Sequence, residues 1–194
     1  GPVNTQIVGA LTPQKESQAQ RVKDYMNYQI MHEMDEYDPD LDSLLFYLPL
    51  SGSAFKKVYY DAGLERAVSK FIPSDDLYVP YLASDLATCE RVTHTLRKSE
   101  NDIRKLQVAG FYRDIELQVF DEESGLQERE SEISGIKKTS YTRDSFQLLE
   151  MHVDLNIPGV DADDGIKVPY IVTIDEGSSK VLSIYRNYKE DDPK

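Results

Sequence analysis

Two hydrophobic periods divide this chain, and they come in one order. Over residues 13–37, Ala19, Val22, Met26, Ile30, Met34 and Tyr37 recur at spacings of three and four, which is the apolar stripe of an amphipathic helix about 24 residues long. Thr12-Pro13 opens it with a capping hydroxyl and a proline at the first helical position. Asp38-Pro39 is expected to break it, with Asp40 capping a short helix that buries Leu41, Leu44, Leu45 and Leu48 and stops at Pro49 and Ser51-Gly52. From Phe55 onward the pattern is strand-like. A hairpin runs through 55–60 and 66–72, and short strands follow at 77–79 and 91–97. Later strands are expected at 146–156, 168–174 and 180–188. Ser84 to Thr88 reads as one helical turn, and Ser99-Glu100-Asn101-Asp102 as the capped start of a helix ending near Gly110. Helices early and strands late, without βαβ alternation, predict an α+β fold on a largely antiparallel sheet. We expect a single domain over 1–194, with an exposed, mobile insertion at 121–140, where composition is polar and aperiodic.

Charge narrows the partners. Acidic residues outnumber basic ones 35 to 22, for a net charge of −13. Tight binding to nucleic acid relies on Lys and Arg displacing counterions, and attachment to anionic lipid needs the same sign of charge. A lone Cys89 excludes an intrachain disulfide framework and a cysteine-rich zinc site, and suits a reducing compartment. No run of 18 apolar residues occurs, and Gly1-Pro2-Val3-Asn4 does not open a signal peptide. The charged stretch 188–194 reads as a linker, so the chain is expected to be a segment of a longer one.

No phosphate loop, dinucleotide fingerprint, nucleophile elbow, HExxH or CxxC is present. His32, His94 and His152 are far apart in sequence. Asp38, Asp40 and Asp42 alternate as a calcium loop begins, but the glycine and glutamate such a loop requires are replaced by Ser43 and Pro49. These acids are expected to favour the positive end of a helix. The alternatives are a metal-dependent nuclease using Asp38, Asp40 and Asp42 or the acids of 161–164, and an intracellular binding module that recognises a protein through an exposed strand edge. Cys89 has Arg91 and His94 close in sequence, which could lower a thiol pKa. Thirteen tyrosines with no tryptophan suit partly wet interfaces, and equally suit strands. No catalytic residue, cofactor or metal is assigned.

Three long phrases carry a resemblance. They are NYQIMHEMDEYDPDLDSLLFYLPLSGSAFKKVYYD at 27–61, AVSKFIPSDDLYVPYLASDLATCERVTH at 67–94 and DIRKLQVAGFYRD at 102–114. Together with GPVNTQIVGALTPQKE before them, they resemble the portal proteins of short-tailed bacteriophages. The resemblance covers most of the chain and weakens at 121–145. It implies a non-enzymatic structural subunit of a homo-oligomeric ring, usually dodecameric, at one capsid vertex of the virion, assembled in the host cytoplasm. DNA would be packaged and ejected through that ring without sequence-specific binding. Terminase, scaffold or capsid proteins and tail adaptors would be its partners, with no membrane. The chain is too short for a whole portal subunit, and its α+β pattern is similar to the wing region. An acidic wall would let DNA slide, because like charges leave no deep binding minima. A labelled-duplex titration is accordingly expected to show no measurable binding at any salt concentration. Tight binding that weakens steeply with salt would reveal a basic face hidden by the net charge.

Overall fold

The computed structural model describes residues 1–61, 63–117, 145–161 and 164–188. The chain has the expected α+β composition, with antiparallel strand pairing throughout. It divides into two compact units, Gly1–Asp75 and Asp76–Lys194. The segment 121–140 lies outside the described residues.

In the first unit, the opening residues are extended, with Val3, Thr5 and Ile7 half-buried in alternation. They run along helix α1 (Pro13–Tyr28). The Asn27 amide holds Val3 as a neighbouring strand would: Val3 N–H donates to Asn27 Oδ1 (2.9 Å) and Asn27 Nδ2 donates to the Val3 carbonyl (3.0 Å). Thr5 Oγ1 donates to the Ala19 carbonyl at 3.0 Å. Thr12 caps α1 as expected, its hydroxyl accepting the Lys15 N–H, with Pro13 in the first turn.

The expected 24-residue helix is shorter and changes its winding. After Tyr28 the backbone widens into a π-turn, Gln29–Glu33, closed by Met34 N–H donating to the Gln29 carbonyl at 2.9 Å. A turn widened by one residue rotates the positions beyond it relative to those before it. The expected stripe is therefore split: Ile30 and Met34 are half-buried, while Val22 and Met26 are 50% and 41% exposed. The covered side of α1 carries Ala19, Lys23 and Asn27, and the N-terminal segment is hydrogen-bonded there. The expected single apolar stripe over 13–37 is thus corrected.

Helix α2 (Tyr37–Ser51) begins before Pro39 instead of after it. Pro39 sits at the third helical position, where N–H groups have no intrahelical acceptor and a proline removes nothing. Pro49 lies inside the last turn, and Gly52, at φ +75°, ends the helix with its N–H on the Leu48 carbonyl (3.0 Å). Strands β1 (Ala54–Asp61) and β2 (Arg66–Pro73) form the expected hairpin. Asp61 Oδ1 accepts the N–H groups of Gly63 and Leu64 and fixes its turn. Helix α2 packs on both strands.

The second unit is a five-stranded antiparallel meander in the order β3-β4-β5-β6-β7. Its strands are β3 (Leu77–Tyr78), β4 (Arg91–Ser99), β5 (Ser145–Leu155), β6 (Val168–Asp175) and β7 (Val181–Arg186). Helix α3 (Glu100–Val108) follows β4, capped by Ser99 as expected, and Gly110 adopts φ +78° just beyond it. The core gathers Ile103, Phe146, Leu148 and Leu182, with Leu96, Tyr112, Ile115 and Leu117 against them. The phrase KLQVAGFYRD supplies the docking of α3. Gln107 Nε2 donates to the carbonyls of Arg113 and Ile115, Arg113 N–H to the Leu182 carbonyl, and Tyr185 Oη to the Phe111 carbonyl. Ser84 to Thr88 forms no helical turn. Asp85 instead accepts the N–H and hydroxyl of Thr88, a side-chain turn that competes with helix.

Leu182→Ala is expected to destabilise the protein by about 2–5 kcal/mol, the range for emptying a packed leucine site. Met26→Asp, on the exposed side of α1, should change stability by less than about 0.5 kcal/mol. Denaturant unfolding of both variants checks the assignment of the two faces.

Candidate functional site: carboxylates and an exposed apolar helix surface

The residues that sequence reasoning singled out for chemistry are put to structural use or stand apart. Asp40, at the start of α2, accepts the Phe71 N–H of β2 through Oδ2 at 2.8 Å. One turn earlier, Glu36 Oε1 accepts the Ser69 N–H of the same strand at 3.3 Å and pairs with Arg66 at 2.9 Å. The i, i+4 spacing of 36 and 40 sets two carboxylates on one side of the helix start. Alternate residues of a strand point their N–H groups to the same edge, so 69 and 71 meet that pair in step. Asp40 was expected to cap a helix; it caps a strand edge. Asp38 and Asp42 are exposed. Among the described residues, no group of three or more His, Cys, Asp or Glu could hold a metal ion.

The hydrogen bond and charge of Arg66, with the Ser69 N–H, hold the Glu36 carboxyl down at about 2, against a burial effect that acts the other way. Sequence reading passed over Glu36. Its signal was an acid one helical turn before Asp40, with Arg66 just past the hairpin turn.

The second acidic stretch is a hydrogen-bond hub. Asp161 accepts the hydroxyl of Tyr170 at 2.5 Å, the N–H of Ile157 at 2.7 Å and, at 3.4 Å, the hydroxyl of Tyr188. These donors, Tyr170 first, lower the Asp161 pKa, while burial and then the Asp161 bond push Tyr170 up to about 12. The Tyr170 and Tyr188 rings meet edge to face, centroids 6.2 Å apart. Asp164 Oδ1 accepts the Ile166 N–H; 162 and 163 lie outside the described residues.

Cys89 is half-buried, and its Sγ donates to the Arg91 carbonyl at 2.9 Å. His32 stacks near Tyr28, centroids 5.5 Å apart, His152 Nε2 lies 3.3 Å from Glu150 Oε1, and His94 sits half-buried on β4.

What stands out instead is apolar surface. On α2, Leu45, Phe46 and Leu50 are exposed, and Leu48 largely so; on α1, Val22, Tyr25 and Met26 are exposed. Leu45 and Leu48 were expected to be buried. A helix as apolar as Leu44-Leu45-Phe46-Tyr47-Leu48-Pro49-Leu50 covers β2 with one side, where Tyr47 stacks 5.4 Å from Phe71, and has apolar residues left over for the other. In the second unit, Tyr81 is fully exposed, beside an almost fully exposed Leu82. Large exposed apolar patches are, in general, a mark of interaction surfaces. Among the described residues, no helix is long and apolar enough to cross a membrane.

No protein-family model matches this chain, and no curated protein matches it.

Acid should act through Glu36. Its folded pKa lies below the ordinary 4.5, so its contribution is full above that value and is lost as pH falls toward about 2. Glu36→Gln is expected to lower stability at neutral pH and to flatten the loss between those limits. Unfolding monitored across an acid series measures both.

Proposed function

We propose that this chain is a structural part of a phage portal ring, of the wing type, acting through subunit contacts and carrying no catalytic centre of its own. The observation that carries the reading is the exposed apolar surface of α1 and α2. A protein working alone in solution has little reason to keep Leu45, Phe46 and Leu50 in water, whereas a ring subunit covers such residues with its neighbours. The phrases at 27–61, 67–94 and 102–114, which resemble portal proteins, support the same reading. LPLSGSAFKKVYYD forms the end of α2 and the start of the hairpin, PSDDLYVPY leads from β2 into β3, and KLQVAGFYRD builds the seat of α3. They specify structure more than chemistry, as parts of an assembly would.

The carboxylates fit as well. The acids that an enzyme reading would recruit are separated: Asp40 is bound to a strand, and Asp38 and Asp42 face solvent. With a net charge of −13, copies in a ring would repel one another and also repel passing DNA. Apolar contacts would then have to hold the ring, and salt would strengthen it by screening.

Immunogold labelling with an antibody against this chain tests the proposal. Labelling at a single vertex per capsid is expected. Particles without label, or purified chain that cleaves DNA when magnesium or manganese is added, would sink it.

A further inference from the structure

A strand at the edge of a sheet exposes unpaired N–H and C=O groups and invites another strand unless it is blunted. Among the described residues, three of the four edge strands are short or hydrogen-bonded elsewhere. Strand β3 has only two residues. On β7, the Leu182 carbonyl accepts the Arg113 N–H at 2.9 Å. On β2, Ser69 and Phe71 donate to Glu36 and Asp40. The fourth edge, along the eight residues of β1, pairs with no strand among the described residues.

The register tells which groups of β1 face outward. Ser69 and Phe71 lie opposite Val58 and Lys56, and point their N–H groups away from β1. Directly opposed residues of an antiparallel ladder both point inward or both outward. Lys56, Val58 and, opposite Ala67, Tyr60 therefore present N–H and C=O outward. Pro73, which has no N–H to give, fills a further such position opposite Ala54. The Val58 and Tyr60 side chains are each 68% exposed.

We infer that β1 pairs antiparallel with β1 of a second copy of this chain, about a two-fold axis through Tyr59. The sequence Lys57-Val58-Tyr59-Tyr60-Asp61 is complementary to its own reverse. In this register Lys57 faces the partner's Asp61, Val58 faces the partner's Tyr60, and Tyr59 faces the partner's Tyr59. Val58 and the partner's Tyr60 both point outward, so they exchange a pair of N–H···O bonds, repeated across the axis. Opposite charges and aromatic pairs directly opposed across strands are the favourable combinations. Other registers lose them: an axis through Lys57 opposes two lysines, and axes through Val58 or Tyr60 put Asp61 against Phe55 or Tyr59. Asp61 commits Oδ1 to its own turn, and its other oxygen meets the lysine. Lys56, whose charge would otherwise guard the edge, sits 4.1 Å from the Tyr37 ring of α2. The product is a four-stranded sheet, β2-β1-β1-β2, in place of two hairpins, each of the size that is marginal alone. A two-fold contact of this kind closes as a dimer, whereas a ring needs two different surfaces. The inference therefore stands apart from the portal reading.

Sedimentation of the whole chain over concentration and salt series tests it. A dimer is expected, strengthened by salt because each copy carries −13. Val58→Pro removes an outward N–H that the hairpin does not use, so it should give a monomer with an unchanged circular dichroism spectrum. Lys57→Glu opposes like charges twice and should weaken the dimer about tenfold. Register has its own readout. With Cys89→Ser, which removes the chain's single cysteine, Tyr59→Cys should oxidise to a disulfide-linked dimer, since opposed residues there bring their Cβ atoms to about 4.5–5.5 Å. Val58→Cys in the same background should not. A monomer at every concentration would overturn the inference. So would a dimer or larger ring unaffected by Val58→Pro, or cross-linking equal at 58 and 59.

Discussion

The first unit depends on two carboxylates gripping the edge of a strand. Glu36 and Asp40, one turn apart at the start of α2, accept the outward N–H groups of Ser69 and Phe71, and Arg66 ties Glu36 to the same strand. A charged acceptor makes the stronger kind of hydrogen bond, and here it also sets direction. With its first turn fixed along β2, α2 must send its later residues across the hairpin, so Tyr47 reaches Phe71. The remaining apolar residues of α2 are left in solvent because the hairpin is only two strands wide. The exposed surface is a consequence of the clamp.

Much of the framework was legible in the chain, because the signals were local. A hydroxyl before proline at Thr12, Ser99 before an acidic turn, and alternation through β4 to β7 each depend on a few neighbouring residues, and the structure places caps and strands there. Reading failed where a neighbour decides. Pro39 was read as a stop, yet it sits in a helical turn that needs no N–H from it. Spacings of three and four located α1 but could not show the π-turn that parts Met26 from Ile30. The acids at 38–42 invited a choice between metal and helix cap, while the partner that claimed Asp40 lay 31 residues away in β2.

The same difference separates the two units. In the second, backbone answers backbone: the strands pair in one meander, and the α3 exit segment ties Phe111 and Arg113 to Tyr185 and Leu182 of β7. Its core is a compact set of apolar side chains. The first unit relies more on side chains that imitate backbone: Asn27 stands in for a strand beside Val3, and Glu36 and Asp40 stand in beside β2. Such substitutes allow a small sheet to sit among helices, and the outer side of β1 pairs with no strand among the described residues.

The pairing of β4 with β5 begins at Ser99 opposite Ser145, and everything from α3 to residue 144 is strung between these two positions. The entropy of closing such a span grows only with the logarithm of its length, about 0.6 kcal/mol for each doubling. Once the ladder from Ser99 to Arg91 has formed, α3 and its exit segment through Leu117 must be kept, because they complete the core, while length added beyond them costs the sheet little. That junction is where a lineage could lengthen, shorten or exchange a segment while keeping the meander intact, and where an inserted domain or epitope would be carried at least expense to the fold.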